Sequence, residues 1–347
     1  MAASSSHTPV SVRVQDRQDA FHPQPSDEFV VTPEIKQVST RALAYMDAGY
    51  PVHFTGVAGT GKTSLAFHVA AQLGQPAVLL HGDDEYARSD LVGSEVGYRK
   101  SKVVDNFIRS VLKTDEQVKK MWEENRLAKA CREGYTLIYD EFTRSRAEAN
   151  NVLLSILEER ILNLPTRSGG GDGYIRVHPD FRAIFTSNTE EYAGTHRTQS
   201  ALLDRLITIE LDYQTRETEI RIAQSRSNIS AQKAARIVDI VRAVRSMDGS
   251  DDGPSVRAAI VLSRVFSGRE EDIEPGNRLF YDACVDVLRP ARRSLLDDDN
   301  DLRDRIESTV DRILRRPRSA SGPPPTGSAN GSASGDGSRT PGSADDD

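Results

Sequence analysis

Residues 56–63 read Gly56-Val57-Ala58-Gly59-Thr60-Gly61-Lys62-Thr63: a glycine, four further residues, then Gly-Lys-Thr. Glycines at this spacing allow positive φ, so the backbone can curl until several N–H groups face one anion. The pattern predicts a cradle for the β- and γ-phosphates of a nucleotide, with Lys62 adding a full positive charge and the following helix its N-terminal dipole. Thr63 offers a hydroxyl suited to Mg²⁺, a hard cation that keeps most of its waters, and Ser64 completes the expected nucleotide-binding stretch. Downstream, Thr136-Leu137-Ile138-Tyr139 is an apolar run ending in Asp140 and Glu141. A strand ending there delivers two carboxylates to the edge where parallel sheets bind ligands. Asp140 is expected to hold the Mg²⁺ shell together with Thr63, and Glu141 to orient and deprotonate a water as general base. The two motifs together imply hydrolysis of ATP with Mg²⁺.

Three more polar residues fit this chemistry. A run ending in Thr186-Ser187-Asn188 places Asn188 where it can help position the attacking water. Arg205, in Leu202-Leu203-Asp204-Arg205-Leu206, is of the type that reaches a neighbouring subunit's nucleotide and stabilises charge developing during transfer. Arg257, in Gly253-Pro254-Ser255-Val256-Arg257, starts a helix that would bring it over the nucleotide from a lid. His53, His81, His178 and His196 lack the paired spacing of a metal motif and read as internally satisfied or surface residues. Cys131 and Cys284 are too few and too distant for a zinc site or a disulfide framework, and read as buried thiols.

These residues need a scaffold, and the apolar patterning supplies one. Strand-like runs at 51–54, 77–81, 136–140, 182–188 and 207–211 alternate with amphipathic stretches, which predicts a parallel sheet flanked by helices over residues 29–213. From 214 to 316 only helical patterns follow, as expected for a smaller all-helical lid domain. The segment 90–134 is too long for a plain crossover and reads as an insert with its own helical pattern. Phe107, Ile108, Val111, Leu112, Val118, Met121, Trp122 and Leu127 stand among charges there, which suggests contact with client proteins. Residues 1–28 have no apolar periodicity and read as a flexible arm, and 317–347 as a disordered Gly/Ser/Pro-rich tail.

The chain has 347 residues, 37% hydrophobic and 28% charged, with a formal charge of −7. That is ample for two packed units, and the acidic balance gives no support to nucleic-acid binding. No run approaches the roughly 18 apolar residues of a membrane span, and the first residues lack the apolar stretch of a signal peptide. A cytoplasmic location is therefore expected, without a membrane partner.

The order of phosphate loop, long insert, TLIYDEF, strand ending in SN, LLDRL and SVRA resembles the MoxR branch of the AAA+ ATPases. The longer phrases FVVTPEIKQVSTRALAYMDAGYPVHFTGVAGTGKTSLA, HGDDEYARSDLVG, DNFIRSV and YDEFTRSRAEANNVLLSILEERILNLP resemble the gas vesicle protein N (GvpN) family, over about residues 28–266. The resemblance implies an AAA+ fold and an ATPase that serves gas vesicle assembly and enlargement, with vesicle structural and accessory proteins as partners and a hexameric ring as assembly. It places Lys62 and Thr63 on phosphate and Mg²⁺, Asp140 and Glu141 as the acidic pair, Asn188 as the first sensor, Arg205 as the finger and Arg257 as the second sensor. Val57 departs from the family's GPAGTGKT form, losing some rigidity but no phosphate donor. A general chaperone of the same branch, or a nucleotide-gated binding module with little turnover, remain the alternatives.

Overall fold

The computed structural model describes residues 20–25, 28–104, 114–164, 173–189, 197–247, 253–268, 273–289 and 299–315, and of 95–104, 114–123, 197–199 and 299 the backbone alone. Helix α1 (Pro33–Asp47) leads into β1 (Val52–Gly56), α2 (Lys62–Leu73), β2 (Ala77–His81) and the short α3 (Arg88–Val92). A hairpin of β3 (Gly93–Val104) and β4 (Thr114–Glu124) follows, then α4 (Arg126–Glu133) and β5 (Thr136–Asp140). Next come α5 (Ala147–Asn150), α6 (Val152–Glu158), β6 (Ile161–Asn163), β7 (Tyr174–Arg176), β8 (Arg182–Asn188), α7 (Arg197–Leu203) and β9 (Ile207–Leu211). Five helices close the described chain: α8 (Arg216–Ser227), α9 (Ala231–Arg245), α10 (Val256–Val265), α11 (Arg278–Leu288) and α12 (Asp299–Leu314).

Strands β2, β5, β8, β1 and β9, in that spatial order, form one sheet whose neighbours are all parallel. Every residue of β1 and β5 is buried, as central strands covered on both faces must be. Alternation along β5 and β8 sorts their side chains: Leu137, Tyr139, Ala183 and Phe185 enter one core, while Ile138 and Ile184 enter the other. The first core packs against α4 and α6, the second against α1 and α2. A third core, from Ala223 to Leu314, is drawn entirely from α8–α12 and their loops, so the lid is held together by its own residues.

Local signals set the helix starts. Thr32 caps α1, accepting from the N–H of Ile35, and Pro33 occupies the first helical position, where its missing N–H costs nothing. Thr215, Ser230, Ser255 and Asn277 do the same for α8, α9, α10 and α11, each worth about 1 kcal/mol.

The insert departs from expectation. Val118, Met121 and Trp122 lie in strand β4 rather than on a helix, and the described helical parts of the segment are the end of α3 and Arg126–Glu133. Spacing of i, i+3, i+4 fits a helix, but β4 pairs antiparallel with β3 from Thr114 to Glu124, so the backbone groups facing β3 are taken up by that ladder. Phe107, Ile108, Val111 and Leu112 lie outside the described residues. Leu127 is fully buried on α4 within the first core, so it is not a surface for clients.

The N-terminal side also differs. Phe21 exchanges two backbone hydrogen bonds with Ala77, extending the sheet edge, so ordered chain begins before the expected boundary at residue 29. Residues 1–19 and the tail from 316 lie outside the described residues. Among the described residues no helix is long and apolar enough to cross a membrane.

Candidate functional site

The carboxyl ends of β1, β5 and β8 meet where the sheet order departs from chain order, and register fixes what they bring together. Gly56 at the end of β1 lies opposite Asn188 on β8 and Leu211 on β9, while Tyr139 on β5 lies opposite Phe185. The phosphate loop, Asp140, Glu141 and Asn188 therefore share one rim, as expected for a ligand site at a topological switch.

Within the loop Gly59 and Gly61 take φ of 80° and 94°, and Gly61 opens α2 with its N-terminal N–H groups toward the rim. Lys62 is only 6% exposed, and its Nζ donates to the carbonyls of Gly56 and Val57 at 3.0 and 2.8 Å. That geometry keeps the ammonium inside the loop, where its charge is least screened.

Asp140 is the centre of a hydroxyl cluster. Thr63 and Thr186 both donate to its Oδ1, at 2.7 and 2.6 Å. Thr186 in turn accepts the N–H of Glu141 at 2.9 Å. Glu141 adopts a left-handed φ of 52°, a conformation that costs a non-glycine residue about 1–2 kcal/mol and persists only when neighbours enforce it. Arg144, one turn on, ion-pairs with the Glu141 carboxylate at 2.6 Å. The exposed imidazole of His81 lies 3.6 Å from the second Asp140 oxygen. A hydroxyl and a carboxylate this close at the loop's mouth are the hard oxygen donors that Mg²⁺ accepts, so the residues fit that ion beside phosphate oxygens.

A cleft of about 550 Å³ opens above this rim. Its floor includes residues 58–65, Glu141, Thr186 and Asn188, and its roof is the lid face carrying Ile222, Val256, Arg257, Ile260 and Arg264. Arg257 thus reaches the same cleft as Lys62 and Thr63, as the sequence suggested. Arg205 does not line it. Its guanidinium is bound to Glu158 on α6, at 2.9 and 2.5 Å, and to the carbonyl of Ala201 at 2.7 Å.

Several lining residues went unseen in the sequence. The segment Glu28–Val30 and the first turns of α1 form one wall, and Phe29 stacks on His68 of α2 with ring centroids 4.4 Å apart. Glu28 also ion-pairs with Arg226 on α8, tying that wall to the lid. The hinge Tyr213–Thr215 forms another wall, and Gln214 donates to the carbonyl of Thr60 at 3.4 Å. Aromatic and aliphatic spacing in 29–38 was the available signal, hidden by the polar stretch before it.

Of the histidines, His53 is fully buried in β1, paired with Thr208 and Ser187 hydroxyls at 3.0 and 2.9 Å. Burial pushes its pKa down to about 4. His178 and His81 lie partly in solvent, and His196 falls outside the described residues. Cys131 and Cys284 are buried thiols, each pushed up to about 12 by desolvation.

Comparison with known proteins agrees with this arrangement. Residues 51–206 match the AAA domain of the dynein-related subfamily. The chain is 48% identical over 269 residues to the gas vesicle ATPase GvpN of Ancylobacter aquaticus, covering 78% of this chain and 75% of that one. It is 40% identical over 285 residues to the GvpN of Haloferax mediterranei, covering 81% and 80%. The GvpN1 of Halobacterium salinarum is likewise 40% identical, over 84% of this chain and 82% of its own. With a nucleotide cleft of AAA+ form and identities this high over three quarters or more of each relative, the chain belongs to the GvpN family of AAA+ ATPases.

Proposed function

We propose that this nucleotide-binding ATPase depends on Mg²⁺ and spends the energy of hydrolysis on assembling or enlarging the protein shell of gas vesicles, in the cytoplasm. The observation that carries the chemical part is the cluster on Asp140. Two threonine hydroxyls from α2 and β8 fix its carboxylate beside the phosphate loop, and one of them also fixes Glu141. The vesicle context comes from the names of the relatives.

In this reading Lys62 and the loop N–H groups neutralise and orient the phosphates, and Thr63 and Asp140 would hold the metal ion. Mg²⁺ held there would supply positive charge against the phosphate oxygens. Glu141 accepts a proton from water, so its pairing with Arg144 must loosen for it to act as base. Asn188 orients that water at the end of β8. Arg257 closes the site from the lid, and Arg205 serves a neighbouring subunit in a hexameric ring, where its exchange of Glu158 for phosphate would tie turnover to assembly.

The test is complementation in a vesicle-forming cell lacking its own copy. Wild type should restore full-size vesicles, and Glu141→Gln should not at equal expression, with purified Glu141→Gln still binding ATP. Rescue by both would make ATP a conformational switch. Rescue by neither, with active purified protein, would detach the ATPase from vesicles.

A further inference from the structure

A buried charge cluster stands where the lid meets the hinge, and none of its members lines the cleft. Glu219 on α8 is only 1% exposed. Arg242 and Arg245, both on α9, hold its two oxygens at 3.0 and 2.8 Å. A carboxylate at that depth must be paired, which explains one arginine. The second arginine, and the other bonds both make, point elsewhere.

Arg242 also donates to the carbonyl of Gln214 at 3.1 Å, and Gln214 reaches Thr60 of the phosphate loop. Arg245 donates through Nε to the carbonyl of Pro254 at 2.8 Å, and its guanidinium lies 4.0 Å over the Tyr213 ring. The Tyr213 hydroxyl donates to the carbonyl of Gly253 at 3.3 Å. Gly253 itself admits no larger residue, because a Cβ there would sit 2.6 Å from Arg245 Cγ. The next residue after Pro254 is Ser255, which caps α10 and abuts Gly59, and two positions further is Arg257. One carboxylate therefore orients two guanidinium groups: the first pins the hinge to the phosphate loop, the second pins the entry of the helix that carries Arg257.

We propose that Glu219, Arg242 and Arg245 form a positioning clamp that sets Arg257 against the phosphate loop, so that the lid distinguishes ATP from ADP through Arg245. The inference rests on the assignment of Arg257 to the bound nucleotide. A cluster that only stabilised the lid would alter melting and leave that discrimination intact.

A double-mutant cycle in the full-length protein separates these. Arg245→Lys keeps a cation for Glu219, but one ammonium cannot also hold the Pro254 carbonyl and cover Tyr213. Wild type, Arg245→Lys, Arg257→Ala and the double variant are compared for relative affinity for ATP over ADP, kcat, KM and melting temperature. Each single change should lower the preference for ATP about tenfold, the scale of one charged hydrogen bond, and the double should be no worse than Arg257→Ala. A double variant showing the product of the single losses, or an Arg245→Lys protein that melts early with its preference intact, overturns the clamp. Should Arg257→Ala keep full preference for ATP, the assignment of Arg257 fails first and the clamp with it. If Arg245→Lys does not fold, Tyr213→Phe enters the same cycle and is judged by the same non-additivity.

Discussion

Alanine at Gly82 should damage turnover while sparing nucleotide binding. Gly82 follows β2, donates its N–H to the carbonyl of Asp140 at 2.7 Å, and faces the backbone of Glu141 so closely that a Cβ would lie 1.9 Å from the Glu141 carbonyl oxygen. Ordinary contact begins at 3.4 Å, so a gap of about 1.5 Å must open. The obstacle is main chain, which cannot rotate away as a side-chain tip can. On one side the β2–β5 ladder is held in register from Ala77↔Thr136 to His81↔Asp140. The movable part is the turn at Glu141, already in a left-handed conformation.

Shifting a general base by about 1 Å costs on the order of 10²-fold in rate. Gly82→Ala is therefore expected to lower kcat about 10²-fold with KM within threefold or so, because the atoms a Cβ there meets first belong to Glu141 and Arg144, while the phosphate loop hangs from β1. Overpacking of this kind costs about 1–3 kcal/mol, a fall in melting temperature of about 2–10 °C for a domain of this size. Steady-state ATPase assays, equilibrium binding of a fluorescent ATP analogue and thermal melting measure the three quantities. Wild-type kcat in a folded Gly82→Ala protein, or lost binding with unchanged kcat, would refute the claim that Gly82 sets the aim of Glu141.

Three further outcomes are expected. Thr186→Val removes a donor to Asp140 and strands the Glu141 N–H, so kcat should drop about tenfold with ATP binding retained; a variant equal to wild type in single-turnover assays would show the hydroxyl is dispensable. His53, at about 4 in the folded protein against 6.5 in the unfolded chain, leaves the unfolded state holding the extra proton between those values, so stability is full above pH 6.5 and falls by about 3 kcal/mol as pH drops to 4. Urea titrations of wild type and His53→Asn across that window should differ in slope, and equal slopes would remove His53 as the cause. Cys131 and Cys284, pushed up to about 12, should resist a thiol reagent at pH 8 until the protein is denatured, and reaction at native rates equal to free thiol would contradict their burial.

The core of the fold was readable because its central strands are covered on both faces and so appear as uninterrupted apolar runs, such as Leu137-Ile138-Tyr139 ahead of Asp140. The positions of the phosphate loop, the acidic pair and Arg257 around one cleft could be anticipated because each is a short motif tied to a strand end or a helix start. The hairpin was not: Val118, Met121 and Trp122 carry a helical spacing, and the partner strand that overrides it lies some twenty residues upstream. Gly82 reads as a turn residue after a strand, and Thr186 as one more β-branched residue within one. Their roles exist only once β2, β5 and β8 are side by side. Glu219 looks like a first-turn acid of an exposed helix, and only the packing of α8 against α9 buries it.

The cleft is bordered by two bodies with separate hydrophobic cores, so closure over a nucleotide would be a rearrangement between them rather than within either. Among the described residues, the links between them at the cleft include the Gln214–Thr60 hydrogen bond and the Glu28–Arg226 ion pair, with Ser255 close against Gly59. The hydrogen bond is worth about 0.5–1.5 kcal/mol and the partly exposed ion pair about 0–1 kcal/mol, a range in which a ligand can bias a two-state equilibrium without locking it. On the proposed reading, a triphosphate held by the loop N–H groups and Arg257 would sit beside these links, since Thr60, Gln214, Glu28 and Arg226 line the same cleft. On that reading the lid's position would be coupled to the state of the terminal phosphate. The proposed coupling would pass through the hinge at Tyr213–Thr215, which makes the Glu219 cluster that contacts it through Arg242 and Arg245 the place where loss of coupling, without loss of fold or binding, should first be found.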